Sequence, residues 1–122
     1  MLEPILIVED NPSTRAALSS LLNFSGYTTV TTRSSEEGLS YLRRGGRACL
    51  IILDLGLPGM DGDTFRRTLL DSPRTRRIPV VVYSATTDVT VPEIVGFVEK
   101  TADPDVLLDL VAKACDKPAS AA

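Results

Sequence analysis

Histidine is absent from all 122 residues, and the two cysteines, Cys49 and Cys115, have none of the close spacing that metal-binding thiols show. A zinc site is excluded on that count, and no imidazole can serve as a catalytic base. Both cysteines read as buried thiols. No apolar run approaches the length of a membrane span, and Met1-Leu2-Glu3-Pro4 lacks the basic start and cleavage site of a signal peptide. The expectation is a cytoplasmic protein with no membrane attachment. An excess of positive charge is also missing: the net charge is −3, which disfavours nucleic acid and acidic lipid surfaces as partners. With 43% hydrophobic and 24% charged residues, the chain suits one compact domain, read as residues 1–117 before a disordered tail at 118–122.

What is present centres on residues 49–62, Cys-Leu-Ile-Ile-Leu-Asp-Leu-Gly-Leu-Pro-Gly-Met-Asp-Gly. Leu50 to Leu53 are uninterruptedly apolar, as a strand buried on both faces requires, and the run stops at the carboxylate of Asp54. Gly56, Pro58, Gly59 and Gly62 then impose a tight loop. Asp54 is thereby placed at the C-terminal end of a strand, where open parallel sheets hold their ligands.

The same pattern recurs along the chain. Ile5 to Val8 is a second apolar, β-branched run, and it ends in Glu9 and Asp10. Asn11-Pro12-Ser13 starts a helix that carries Leu18, Leu21 and Leu22 and stops at Gly26. Tyr27 to Thr32 suits an outer strand, and Ser34 or Ser35 caps a helix bearing Leu39 and Leu42. Asp63 reads as the cap of a third helix with Phe65, Leu69 and Leu70. Ile78 to Tyr83 is a fourth strand ending in Ser84, and Ile94 to Glu99 a fifth leading into Lys100. Asp103 or Asp105 caps a last helix carrying Leu107, Leu110 and Val111. Strands and helices in alternation predict a doubly wound α/β fold, a five-stranded parallel sheet in the flavodoxin-like order 2-1-3-4-5.

In that order Glu9, Asp10, Asp54, Ser84 and Lys100 emerge at one crevice. Three carboxylates repel one another unless a cation joins them, and oxygen ligands without histidine or cysteine select a hard ion such as magnesium. The ion would neutralise an incoming phosphoryl group while Lys100 and the Ser84 hydroxyl hold its other oxygens. Asp54 is the candidate nucleophile, since a carboxylate attacks phosphorus without an activating base. Elsewhere, Arg43, Arg44, Arg47, Arg66, Arg67, Arg74, Arg76 and Arg77 supply eight of the thirteen basic residues. They are either solvated faces or a docking surface for an acidic partner.

These motifs resemble those of the receiver domains of two-component response regulators. Glu9-Asp10, the segment from Asp54 to Gly62, Val-Val-Tyr-Ser84-Ala85 and Phe97-Val-Glu-Lys100 match them in order over nearly the full length. The resemblance implies that Asp54 takes a phosphoryl group from the phosphohistidine of a sensor kinase or phosphotransfer protein. It implies magnesium held by Glu9, Asp10, Asp54 and the Gly56 carbonyl, phosphoryl contacts from Ser84 and Lys100, and Phe97 as an aromatic that turns inward on activation. Such a domain catalyses only its own phosphorylation and dephosphorylation, and switches a surface read by a downstream effector. It either stands alone or serves an output domain outside this chain.

Two departures from the family pattern stand out. Only fifteen residues separate Ser84 from Lys100, so the fourth helix of such domains is expected to be shortened or missing, with residues 85–93 extended or in a single turn. Thr101 stands where the family has a cis proline, and a trans bond is expected because cis without proline costs about 2.5–4 kcal/mol. Both departures suit a rival reading, a pseudo-receiver that binds partners irrespective of phosphate. A flavin or nucleotide binder is disfavoured by the acidic Asp10-Asn-Pro-Ser loop, where a phosphate cradle needs glycines. A magnesium phosphohydrolase would need a cap to exclude water, for which the chain is too short.

Overall fold

The computed structural model describes residues 3–54, 62–85 and 94–115. Its strands are β1 (Ile5–Val8), β2 (Thr29–Thr32), β3 (Leu50–Leu53), β4 (Val80–Ser84) and β5 (Gly96–Glu99), and its helices are α1 (Pro12–Phe24), α2 (Ser35–Arg43), α3 (Gly62–Leu70) and α4 (Pro104–Ala114). All strand pairs are parallel, in the order β2-β1-β3-β4-β5. Fold class and strand order are thus those expected from the apolar runs. The β4–β5 crossover, where a shortened or missing helix is expected over 85–93, lies outside the described residues except for Ala85.

Every residue of β1 and β3 is buried, which explains why these strands are apolar at consecutive rather than alternate positions. Side-chain alternation then divides them between two cores. Ile5, Ile7 and Ile52 pack with Leu18 and Leu22 of α1 and Leu107 and Val111 of α4. Leu6, Val8, Ile51 and Leu53 pack with Leu39 and Leu42 of α2 and Phe65 and Leu69 of α3. The sheet is sandwiched by helices on both faces, and burial of this kind contributes roughly 25 cal/mol per Å² of apolar surface.

Local chemistry sets the boundaries. The Asn11 side chain accepts from the Thr14 amide, Ser34 from Glu37 and Asp103 from Asp105, each at a helix start. Pro12 and Pro104 occupy first-turn positions where no amide hydrogen is needed. Gly26, at φ 97°, reverses the chain after α1 in a conformation that side chains resist.

Five expectations are corrected. Asp63 is not a cap: α3 begins at Gly62, so Asp63 lies in its first turn and pairs with Arg67 one turn on, at 2.8 Å. Strand β2 starts at Thr29 because the Tyr27 amide turns back to the Leu22 carbonyl. Strand β4 starts at Val80 because Ile78 closes a turn onto Thr75, and β5 starts at Gly96 rather than Ile94. Cys49 and Cys115 are not thiols but a disulfide, with Cα atoms 5.5 Å apart across a sequence separation of 66. Cys49 precedes β3 and Cys115 follows α4, so the bond ties the start of the central strand to the end of the last helix.

Because the bond closes a long loop, reducing it is expected to lower the unfolding free energy by about 2–4 kcal/mol. Urea titrations with and without dithiothreitol, beside a Cys115→Ser variant, check this. Identical midpoints in all three would show that the bond adds nothing to the fold.

Candidate functional site

Strand register brings the polar ends together. Val8 lies beside Leu53, Leu53 beside Val82, and Ser84 beside Glu99, so β1, β3, β4 and β5 all finish at one edge. The ladder continues past them: the Asp54 amide donates to the Val8 carbonyl at 3.1 Å and the Lys100 amide to the Ser84 carbonyl at 3.0 Å. Backbone pairing, rather than the side chains themselves, therefore positions Glu9, Asp54, Ser84 and Lys100.

Glu9 is 1% exposed and Asp54 6% exposed, while Asp10 faces solvent. The Lys100 Nζ lies 2.8 Å from Glu9 Oε1 and 3.2 Å from Asp54 Oδ2, so one ammonium bridges both buried acids. Asp10, Asn11, Asp54, Ser84 and Lys100 line a common cavity of about 580 Å³, with Ser84 buried at its edge. The Asn11 amide donates to Glu9 Oε2 at 3.2 Å. Arg15, which the sequence does not single out, donates through Nη1 to the carbonyls of Glu9 and Asp10 at 3.0 and 3.3 Å. Its one sequence signal is a position on the first turn of α1, one turn after the Asn11 cap.

Burial, aided by the neighbouring Asp54, raises the Glu9 pKa to about 6, against opposition from Lys100 and the Asn11 amide. Burial alone would lower the Lys100 pKa, but the Glu9 and Asp54 carboxylates outweigh it and the ammonium is held more firmly than usual. One carboxylate oxygen each from Glu9, Asp10 and Asp54 lies within 4.8 Å of the others. An all-oxygen set of this size and charge, half-open to water, fits a hard divalent cation that keeps part of its hydration shell.

The remaining expected site residues are placed as follows. Phe97 lies on β5 beside Val82, half-buried, and does not line the cavity. Gly56 lies outside the described residues. The Lys100–Thr101 peptide is trans, as the lack of proline predicts.

The family model described as the response regulator receiver domain matches residues 5–112. The transcriptional regulatory protein AfsQ1 of Streptomyces coelicolor is 37% identical over 69% of this chain, which spans only 36% of that protein. The polar-differentiation response regulator DivK of Brucella ovis is 36% identical over 70% of this chain and 68% of its own length. Among solved structures, the N-terminal domain of a response regulator/sensory box/GGDEF protein from Carboxydothermus hydrogenoformans superposes with a TM-score of 0.81 at 31% identity, covering 92% of this chain and 93% of that one. The response regulator TrrA of Thermotoga maritima, in complex with Mg(2+)-BeF, gives 0.82 at 26% identity, covering 92% and 98%.

A raised folded-state pKa means that ionised Glu9 opposes folding: the stability it contributes when protonated is present below about pH 4.5 and lost as pH rises through about 6. Glu9→Gln mimics the protonated form. It is expected to stabilise the metal-free protein at pH 7.5, on the order of 1 kcal/mol after allowance for solvent screening, and to have little effect at pH 4.5. Thermal melts in EDTA at the two pH values check this, and a destabilised variant at pH 7.5 would show that the Lys100 pair outweighs the cost of burial.

Proposed function

Because the chain belongs to the response regulator receiver domain family, we propose that it accepts a phosphoryl group on Asp54 from a phosphohistidine of a sensor histidine kinase or phosphotransfer protein. The observation that carries this reading is the position of Asp54, which ends a fully buried strand and opens into the cavity that Ser84 and Lys100 also line. In the transfer, an Asp54 carboxylate oxygen forms a bond to phosphorus as the phosphorus–nitrogen bond to imidazole breaks, and the imidazole retains the departing electron pair. The Asp54 carboxylate needs no proton removed, which accords with a chain that contains no histidine.

Glu9, Asp10 and Asp54, with the Gly56 carbonyl, would hold magnesium, which when bound offsets the charge crowded between carboxylates and phosphoryl oxygens. Lys100 then has a second role. Its ammonium, now between Glu9 and Asp54, is in reach of a phosphoryl oxygen added to Asp54, and the Ser84 hydroxyl can donate to another. Movement of Ser84 and of Phe97 on β5 would alter the surface that an effector protein reads. The receiver unit would comprise residues 1–117, work in the cytoplasm, and make no direct contact with nucleic acid.

Incubation with acetyl phosphate and magnesium is expected to yield a phosphate adduct by intact mass, absent in Asp54→Asn and in EDTA. No adduct from a folded, magnesium-binding protein, or from a histidine kinase donor, would favour a partner-binding domain that works without phosphate. Magnesium affinity should also follow the protonation of Glu9. Since the proton competes with the cation below about pH 6, affinity at pH 5 is expected to fall about tenfold relative to pH 7.5, and Glu9→Gln should flatten the profile. Calorimetric titration at the two pH values checks this, and a flat wild-type profile would remove Glu9 from the cation site.

A further inference from the structure

The opposite edge of the sheet carries a basin that phosphoryl transfer at Asp54 does not use. Arg47 precedes β3, while Arg74 and Arg77 precede β4, and all three line one cavity of about 710 Å³ at the N-terminal ends of the strands. The structure thus divides the eight clustered arginines. Arg66 is buried and donates to the Ile78 carbonyl, Arg67 pairs with Asp63, and the other six sit on the turns and helix ends of the basic edge.

This rim is built, not frayed. Arg74 Nη2 donates to the carbonyls of Leu42 and Gly46 at 2.6 and 3.3 Å, which fixes its guanidinium between two loops. The Tyr41 hydroxyl donates to the Arg47 carbonyl at 2.8 Å, and its ring packs so closely on Gly46 that a Cβ there would lie 2.5 Å from it. Cys49 is tied by its disulfide and by its amide to the Pro4 carbonyl. Bonds from the Thr75, Arg76 and Ile78 amides close the turn that carries Arg77. Among the described residues Arg77 meets no carboxylate, and Arg47 meets only Glu3, at 3.6 Å with both side chains solvent-exposed, a pairing of little energy.

We propose that this basin binds a diphosphate group, as inorganic pyrophosphate or as part of a nucleotide. Its volume falls within the roughly 300–1,000 Å³ usual for small-molecule sites. Guanidinium forks match phosphate oxygens in pairs, and three of them around one cavity suit charges packed on adjacent phosphates. An acidic peptide matches less well, because an extended chain repeats its carboxylates on one face only at every second residue. A long nucleic acid would meet repulsion from a domain of net charge −3. Glu3, which also lines the basin, competes with the ligand for Arg47.

The test is calorimetric titration of the full chain with pyrophosphate in EDTA, so that no metal links the probe to the acidic edge. Saturable, salt-sensitive binding is expected, weakened at least about tenfold in Arg47→Ala/Arg77→Ala, since each lost charge-assisted bond accounts for such a factor. Glu3→Gln should tighten it, and Asp54→Asn should leave it unchanged. Both arginines are exposed, so circular dichroism is expected to confirm that the double variant folds. Equal affinity for ADP identifies the diphosphate as the recognised group, and tighter ADP binding identifies a nucleotide. No binding at millimolar pyrophosphate, binding undiminished in the double variant, or tighter binding of hexaglutamate would overturn the proposal.

Discussion

A single ammonium holds the acidic edge of this protein together. Lys100 Nζ bridges Glu9 and Asp54, two carboxylates that are almost wholly buried and that would otherwise repel each other. Burying a charge costs several kcal/mol unless a counter-charge and hydrogen bonds compensate it, and here the compensation is incomplete, since Glu9 holds its proton to about pH 6. The site is therefore stable enough to exist without a cation yet retains a net demand for positive charge. That combination suits a crevice that can take up a divalent cation beside the ammonium.

The bridge depends on the sheet register. Glu9, Asp54 and Lys100 follow three different strands, and their side chains meet because β1, β3, β4 and β5 finish at the same edge of the sheet, with β4 and β5 running two residues beyond β1 and β3. A slip of one residue in a parallel pair would send the acid to the opposite face. What opposes this is the fit of particular side chains, Ile7 and Ile52 packed in one core and Val8 and Leu53 in the other.

Most of this was legible in the chain itself. Leu-Ile-Ile-Leu before Asp54 and Ile-Leu-Ile-Val before Glu9 can be little other than buried strands, and their polar termini mark the crevice. Helix starts were legible to within a residue or two, at Asn11, at Ser34 or Ser35 and at Asp103 or Asp105, and the structure selects Asn11, Ser34 and Asp103 as the side-chain acceptors. What escaped were features made by distance in space. The Cys49–Cys115 bond joins positions with no shared local pattern, and Arg15 acts through backbone carbonyls, which no residue type advertises. Asp63 misled because an acid in the first turn of a helix favours that end almost as much as a cap does.

The disulfide also decides how the molecule would carry mechanical load. Tension applied at the two ends of the chain would run from the N-terminal segment through β1, α1, β2 and α2 to Cys49, and then cross directly to Cys115. Strands β3, β4 and β5 with α3 and α4 lie in the bypassed loop and would bear no direct pull. Asp54, Ser84 and Lys100 are inside that shielded loop, whereas Glu9 and Asp10 are on the loaded path. Stretching would then strip two carboxylates from the crevice before it disturbed Asp54, separating loss of Glu9 and Asp10 from loss of the remaining side chains.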